Sequence, residues 1–138
     1  PGKFQPGSVS HEGCAGILGS LAYFDWLGED GYATIATNEQ GLTRHLIEFL
    51  TTHFQYQLVG PTNNRVSTIS FTHKTLSPSH VVETTDKANV AIRWGHMYSY
   101  RLCQALGIDT EEGVIRASFV HYNTPEEVNR LISALDSI

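Results

Sequence analysis

The spacing of apolar positions changes several times along the chain, and each change marks an element. Over 114–120 the period is two. Ile115, Ala117 and Phe119 point one way, and Val114, Arg116, Ser118 and Val120 the other, which predicts a strand. After the turn His121-Tyr122-Asn123 the period lengthens. Val128, Leu131, Ile132 and Leu135 make one helical face, and Thr124-Pro125-Glu126-Glu127 supplies its start. Thr124 suits the N-cap, Pro125 the first helical position, and Glu127 completes a Thr-x-x-Glu capping box.

The same reading extends upstream. Arg65 to His73 alternates strictly, with Ser67, Ile69, Phe71 and His73 on one side. Tyr56 to Val59 and Val90 to Trp94 are shorter candidate strands. Residues 1–10 form an extended lead-in bearing proline and glycine. His11 to Leu27 reads as a helix with Cys14, Ile17, Leu18, Leu21, Ala22 and Leu27 on its apolar side. Gly28 to Gly31 reads as a break, followed by a short helical or irregular stretch to Ala36. Thr37 or Asn38 then caps a helix through about Phe54, striped by Leu42, Leu46, Phe49, Leu50 and His53. Ser77-Pro78 opens a helix to about Asn89, and Tyr98 to Leu106 forms another, ended by Gly107. Strands separated by helices, with two or three strands antiparallel, predict an α+β layer: an antiparallel or mixed sheet containing 66–72, 90–94 and 114–120, with the helices over 38–54 and 124–137 on one face.

Composition narrows the class. The chain has 138 residues, 41% of them hydrophobic, enough for one domain's core. Net charge is −5, and the nine lysines and arginines are scattered, so no basic face for nucleic acid is indicated. No apolar run approaches the roughly 20 residues of a membrane span. No signal-peptide core follows Pro1-Gly2-Lys3-Phe4. Cys14 and Cys103 form no CxxC pair, and a reduced, cytoplasmic protein accounts for them most simply. The seven histidines show no HxH or HExxH spacing, so no metal is expected. No glycine-rich nucleotide loop is present.

One residue stands against its surroundings. Arg116 interrupts an apolar strand, and an unpaired buried charge is costly. It either faces solvent or a structural partner, or holds its guanidinium ready to grip a carboxylate or phosphate in a bidentate fork.

The segment from Val114 to Leu131 resembles the C-terminal signature of class V aminotransferases, and within them the cysteine desulfurase-like group. The matching positions are Arg116, Ser118, Tyr122, Asn123, Thr124, Glu127, Val128 and Leu131. Phe4-Gln5-Pro6-Gly7-Ser8 resembles the turn that precedes that family's linking helix, and Asn89-Val90-Ala91-Ile92-Arg93-Trp94-Gly95-His96 resembles one of its strands. Together these cover nearly the whole chain, which corresponds to the C-terminal third of a typical member.

The resemblance implies the small C-terminal domain of a fold-type I enzyme that uses pyridoxal phosphate. Residues 1–36 would be the end of the large domain and the linking helix, and 37–138 the small domain. It implies an amino-acid-like substrate whose carboxylate Arg116 binds. It implies a homodimer in which Ser8 reaches the cofactor phosphate of the neighbouring subunit. The family's Schiff-base lysine, the aspartate at the pyridine nitrogen and the histidine stacked on the ring would all precede Pro1. With these missing and no initiating methionine, the chain is expected to be a piece of a longer protein. Alone it should hold no cofactor and be catalytically silent, with no catalytic residue of its own. Lys3, Lys74 and Lys87 do not match the family's lysine. Desulfurases carry a persulfide-forming cysteine in a loop R-x-G-x-x-C. Here Arg93-Trp94-Gly95-His96-Met97-Tyr98 places a tyrosine there, and Cys103 falls inside a predicted helix. The competing reading is a non-catalytic α+β module for binding or dimerisation.

Overall fold

The computed structural model describes residues 2–4 and 7–138. The chain divides into two compact units, residues 1–35 and 36–138. The first holds a short 3₁₀ turn at Gly2–Phe4 and helix α1, His11–Leu27. The side chain of Ser10 caps α1 by accepting from the Gly13 N–H. No residue of α1 is buried.

The expected break after α1 is a single residue. Gly28 adopts φ +69° and ends the helix, and α2 then runs unbroken from Glu29 to Thr52. Glu29 and Asp30 in its first turn suit the positive end of the helix dipole. The glycine cluster therefore makes a sharp corner, not a loop. Gly31 sits so close to Leu27 that a Cβ there would lie 2.5 Å from the leucine's own. The expected second helix thus starts earlier than Thr37, because glycine inside a helix lowers its stability without preventing it.

In the second unit α2 is followed by β1 (Tyr56–Val59), β2 (Thr68–His73), α3 (Pro78–Lys87), β3 (Arg93–Gly95), α4 (Tyr100–Ala105), β4 (Val114–Ser118) and α5 (Pro125–Asp136). The four strands form one antiparallel sheet in the order β1-β2-β4-β3. The alternation read from the sequence holds: Ile69, Phe71 and His73 on β2, and Ile115 and Ala117 on β4, are buried. They pack beneath Leu42, Leu46, Ile47 and Leu50 of α2, Val81 and Val82 of α3, and Val128, Leu131 and Leu135 of α5. Three helices therefore cover this face where two were expected. The Tyr56 hydroxyl donates to the Leu135 carbonyl at 2.8 Å and ties β1 to the end of α5. Burial, with the Asp136 charge adding to it, pushes the Tyr56 phenol up to about 12.

Several predicted ends move inward for local reasons. Asn89 takes φ +57°, and the Val90 N–H turns back to the Thr85 carbonyl. Residues 90–92 therefore close the end of α3, and β3 begins only at Arg93. Met97 and Tyr98 are left-handed (φ +50° and +61°), so α4 starts at Tyr100. Gly107 at φ +69° ends α4 as expected, with the Ile108 N–H on the Cys103 carbonyl. The strand over 114–120 stops at Ser118 because Asn123 Oδ1 takes the Val120 N–H into the following turn. The α5 capping box is complete, with both reciprocal hydrogen bonds formed.

Candidate functional site

The open face of the sheet is polar, and the strand register decides its layout. Ser70 on β2 and Arg93 on β3 both stand opposite Arg116 on β4, and Val59 stands opposite Ser70. Residues opposite each other in an antiparallel pair share a face. The row across the sheet is therefore Val59, Ser70, Arg116, Arg93. Next to it the Ser118 hydroxyl donates to Thr68 Oγ1 at 3.3 Å. A hollow of about 740 Å³ lies beside this row, lined by Ser70 and Thr72 on the strands, by Leu102 and Leu106 at α4, and by Asp109 and Glu112; neither Arg116 nor Arg93 lines it.

Arg116 is half-buried, and its Nε is shielded from solvent with no hydrogen-bond partner. No carboxylate among the described residues pairs with it or with Arg93. A buried donor left unsatisfied costs about 1–3 kcal/mol. This one sits on a strand whose inward side is fully committed to the core. The nearby acids are engaged elsewhere. Glu112 accepts from the backbone and hydroxyl of Ser79, Glu39 from Ser67, and Glu127 from Asn123 and Thr124. The guanidinium is thus presented without an internal counter-charge, which suits a ligand carboxylate.

The loop after β3 is tightly fixed to the strand carrying Arg116. Gly95 (φ +128°) and Gly113 (φ +67°) pack backbone to backbone, and a Cβ on Gly113 would fall 2.0 Å from the Gly95 carbonyl carbon. His96 Nδ1 accepts from the Tyr98 N–H at 3.1 Å, and the His96 carbonyl accepts from the Ser99 N–H at 2.7 Å. Tyr98 projects into solvent from two consecutive left-handed residues, a strained backbone. Cys103 is buried in α4, 5% exposed. No thiol therefore stands at the loop tip.

Ser8 is exposed in the extended stretch ahead of α1, in the other unit, and Gln5 and Pro6 of its motif lie outside the described residues. Lys3, Lys74 and Lys87 are exposed. No group of three or more metal-ligating side chains occurs among the described residues. No helix among them is long and apolar enough to cross a membrane. The sequence reading placed Arg93 in a motif without a role. Only the β3–β4 register sets it opposite Arg116.

Comparison with known proteins bears on the family and the fold. The family model for class V aminotransferases matches residues 1–131. The chain belongs to that family. An aminotransferase-like protein of Gibberella zeae is 38% identical over 141 residues, covering 99% of this chain and 35% of its own length. A probable cysteine desulfurase of Streptomyces coelicolor is 29% identical over all of this chain and 32% of its own. The apo structure of a cysteine desulfurase from Thermococcus onnurineus superposes with a TM-score of 0.87 at 26% identity, over 99% of this chain and 33% of that one. The class V aminotransferase chain thus spans about a third of the length of the relatives it matches. Its α+β architecture is that of the small C-terminal domain of a fold-type I pyridoxal-phosphate enzyme, and the family uses that cofactor in its full-length members. The orphaned Arg116 Nε fits the substrate end of such a site, whereas none of the three lysines stands in a strand or is sheltered from water.

Proposed function

We propose that this chain is the C-terminal part of a pyridoxal-phosphate-dependent lyase or transferase of the cysteine desulfurase-like group. Its substrate is a small amino-acid-like molecule, and Arg116 grips the α-carboxylate. The observation that carries this reading is the shielded Nε of Arg116, which has no hydrogen-bond partner and no carboxylate paired with it among the described residues. When bound, the cofactor acts as an electron sink for the amino acid's carbanion. The chain's part is to orient the substrate by its carboxylate, so that binding fixes which bond to the α-carbon is aligned for cleavage. Ser8 donates a hydrogen bond to the cofactor phosphate across a homodimer interface, in a cytoplasmic enzyme. By itself the chain supplies neither the imine-forming lysine nor the pyridine-nitrogen partner, and so it is silent without the preceding segments and holds no cofactor.

The test is Arg116→Lys in the full-length protein. A point charge replaces a bidentate fork, and the loss of one charge-assisted pair costs about 1.5–3 kcal/mol. That amounts to a roughly 10–150-fold fall in kcat/KM. The visible absorbance of the bound cofactor should persist, since Arg116 serves the substrate and not the phosphate. Unchanged kinetics in this variant would sink the carboxylate assignment.

A further inference from the structure

The site presents two guanidiniums, and no carboxylate among the described residues is paired with either. Arg93 and Arg116 are directly opposed across β3 and β4, so their Cβ atoms stand about 4.5–5.5 Å apart on one face. Like charges directly opposed destabilise a sheet. A carboxylate set between them would relieve this, and none of the described residues provides one. The rest of the row is hydroxyl or apolar: Ser70, with Val59 beyond it.

The two arginines are held differently. Arg116 lies on a strand flanked on both sides, with its Nε shielded, so its head has limited freedom. Arg93 lies on the edge strand and is exposed, so its head can reach toward a second group on the same ligand. One bidentate fork satisfies one carboxylate. A substrate with only an α-carboxylate would therefore leave the second guanidinium unpaired beside the first.

We propose that the site takes an amino acid with a second carboxylate on its side chain. Arg116 holds the α-carboxylate and Arg93 the side-chain carboxylate. Tyr98 is consistent with this selectivity. The loop tip that follows Arg93 offers a phenol and no thiolate, so a side chain reaching toward it meets a group that cannot accept sulfur. Arg93 is then a specificity-determining residue. The inference rests on the reading of Arg116 given above, and the test separates the two.

Ligand binding is measured by calorimetry on the full-length holoprotein, comparing L-aspartate with L-asparagine and L-glutamate with L-glutamine. Each pair differs by one charge at nearly constant shape. The wild type should bind the better acid at least about tenfold more tightly than its amide, the scale of one charge-assisted pair. Arg93→Gln should bring that ratio close to one, and Arg93→Lys should keep part of it. Arg116→Gln should weaken acids and amides together. No acid preference in the wild type, or a preference that survives Arg93→Gln, overturns the proposal. If Arg93→Gln weakens acid and amide alike, both arginines grip the α-carboxylate. The dicarboxylate proposal then fails while the role of Arg116 stands. If Arg116→Gln changes neither affinity, the reading of Arg116 fails first. Cofactor absorbance and the thermal midpoint, recorded for every variant, confirm that each one is folded. Arg93 is exposed on an edge strand, where substitution is tolerated.

Discussion

Cys103 and His73 show how position decides what a side chain can do. Cys103 is a buried helical thiol, and the exposed loop tip, where the R-x-G-x-x-C resemblance would set a cysteine, carries Tyr98. A thiol buried within a helix is out of reach of a substrate at the loop tip. The full-length protein should therefore release sulfide and alanine from cysteine slowly in the presence of a reductant, at a rate that Cys103→Ala leaves unchanged. Rapid release that disappears in Cys103→Ala would show that the thiol had moved along the chain and kept its task. His73 is structural. Its Nδ1 accepts from the N–H groups of Leu76 at 2.9 Å and Thr75 at 3.2 Å, so the ring is held neutral with its proton on a buried, partnerless Nε2. Burial first, and then the nearby His53, hold its pKa below the ordinary 6.5. Below pH 6.5 the unfolded chain takes up a proton at this position that the folded chain refuses. The contribution is complete above that pH and is lost as pH falls toward the depressed folded value. Urea titrations at a series of pH values should show stability falling through this window, and His73→Asn, which keeps an acceptor near Nδ1, should flatten the slope. An identical pH profile for the two proteins would remove His73 as the cause.

Among the elements, α5 is the one whose beginning is written entirely in local chemistry. Thr124 Oγ1 accepts from the Glu127 N–H at 3.3 Å, and Glu127 Oε2 accepts from the Thr124 N–H at 3.0 Å. The Asn123 amide, followed by that backbone N–H, holds the Glu127 carboxyl below its usual range. Thr124→Ala should cost about 1 kcal/mol of stability, and Thr124→Ser much less, by denaturant unfolding. Equal losses would mean that the hydroxyl bond is not what fixes this start. The contrast with α2 is instructive. Gly28 and Gly31 predict an interruption of several residues, yet only Gly28 breaks the helix. Helix propensity is a weak prior once Leu42, Leu46 and Leu50 can be buried on the sheet.

On the scale of the whole chain, α1 differs from the other helices in its exposure. It carries Ile17, Leu18, Leu21 and Trp26, all more than half exposed, and none of its residues is buried. A contiguous apolar helix face left in water favours association. The isolated chain should self-associate, with an average mass by light scattering that rises with concentration. Leu18→Glu with Leu21→Glu should return it toward monomer. A wild-type chain that stays monomeric at high concentration would count against this.

The sequence by itself determined what short-range chemistry controls. The period-two runs of β2 and β4, the caps of α3 and α5, and the glycine that ends α4 each depend on residues within a few positions of one another. The family signature around Arg116 was legible for the same reason, since it lies in a continuous stretch. Tertiary structure decided the rest. A strand's pattern says which side chains share its face, but not which strand pairs with it or in what register. The opposition of Arg93 to Arg116, the lack of an acid between them and the shielding of one Nε arise only when β3 is laid along β4. Likewise Tyr98 is a projecting loop residue and not the first turn of a helix, because Met97 and Tyr98 take left-handed backbone and the Tyr98 N–H is held by His96 Nδ1.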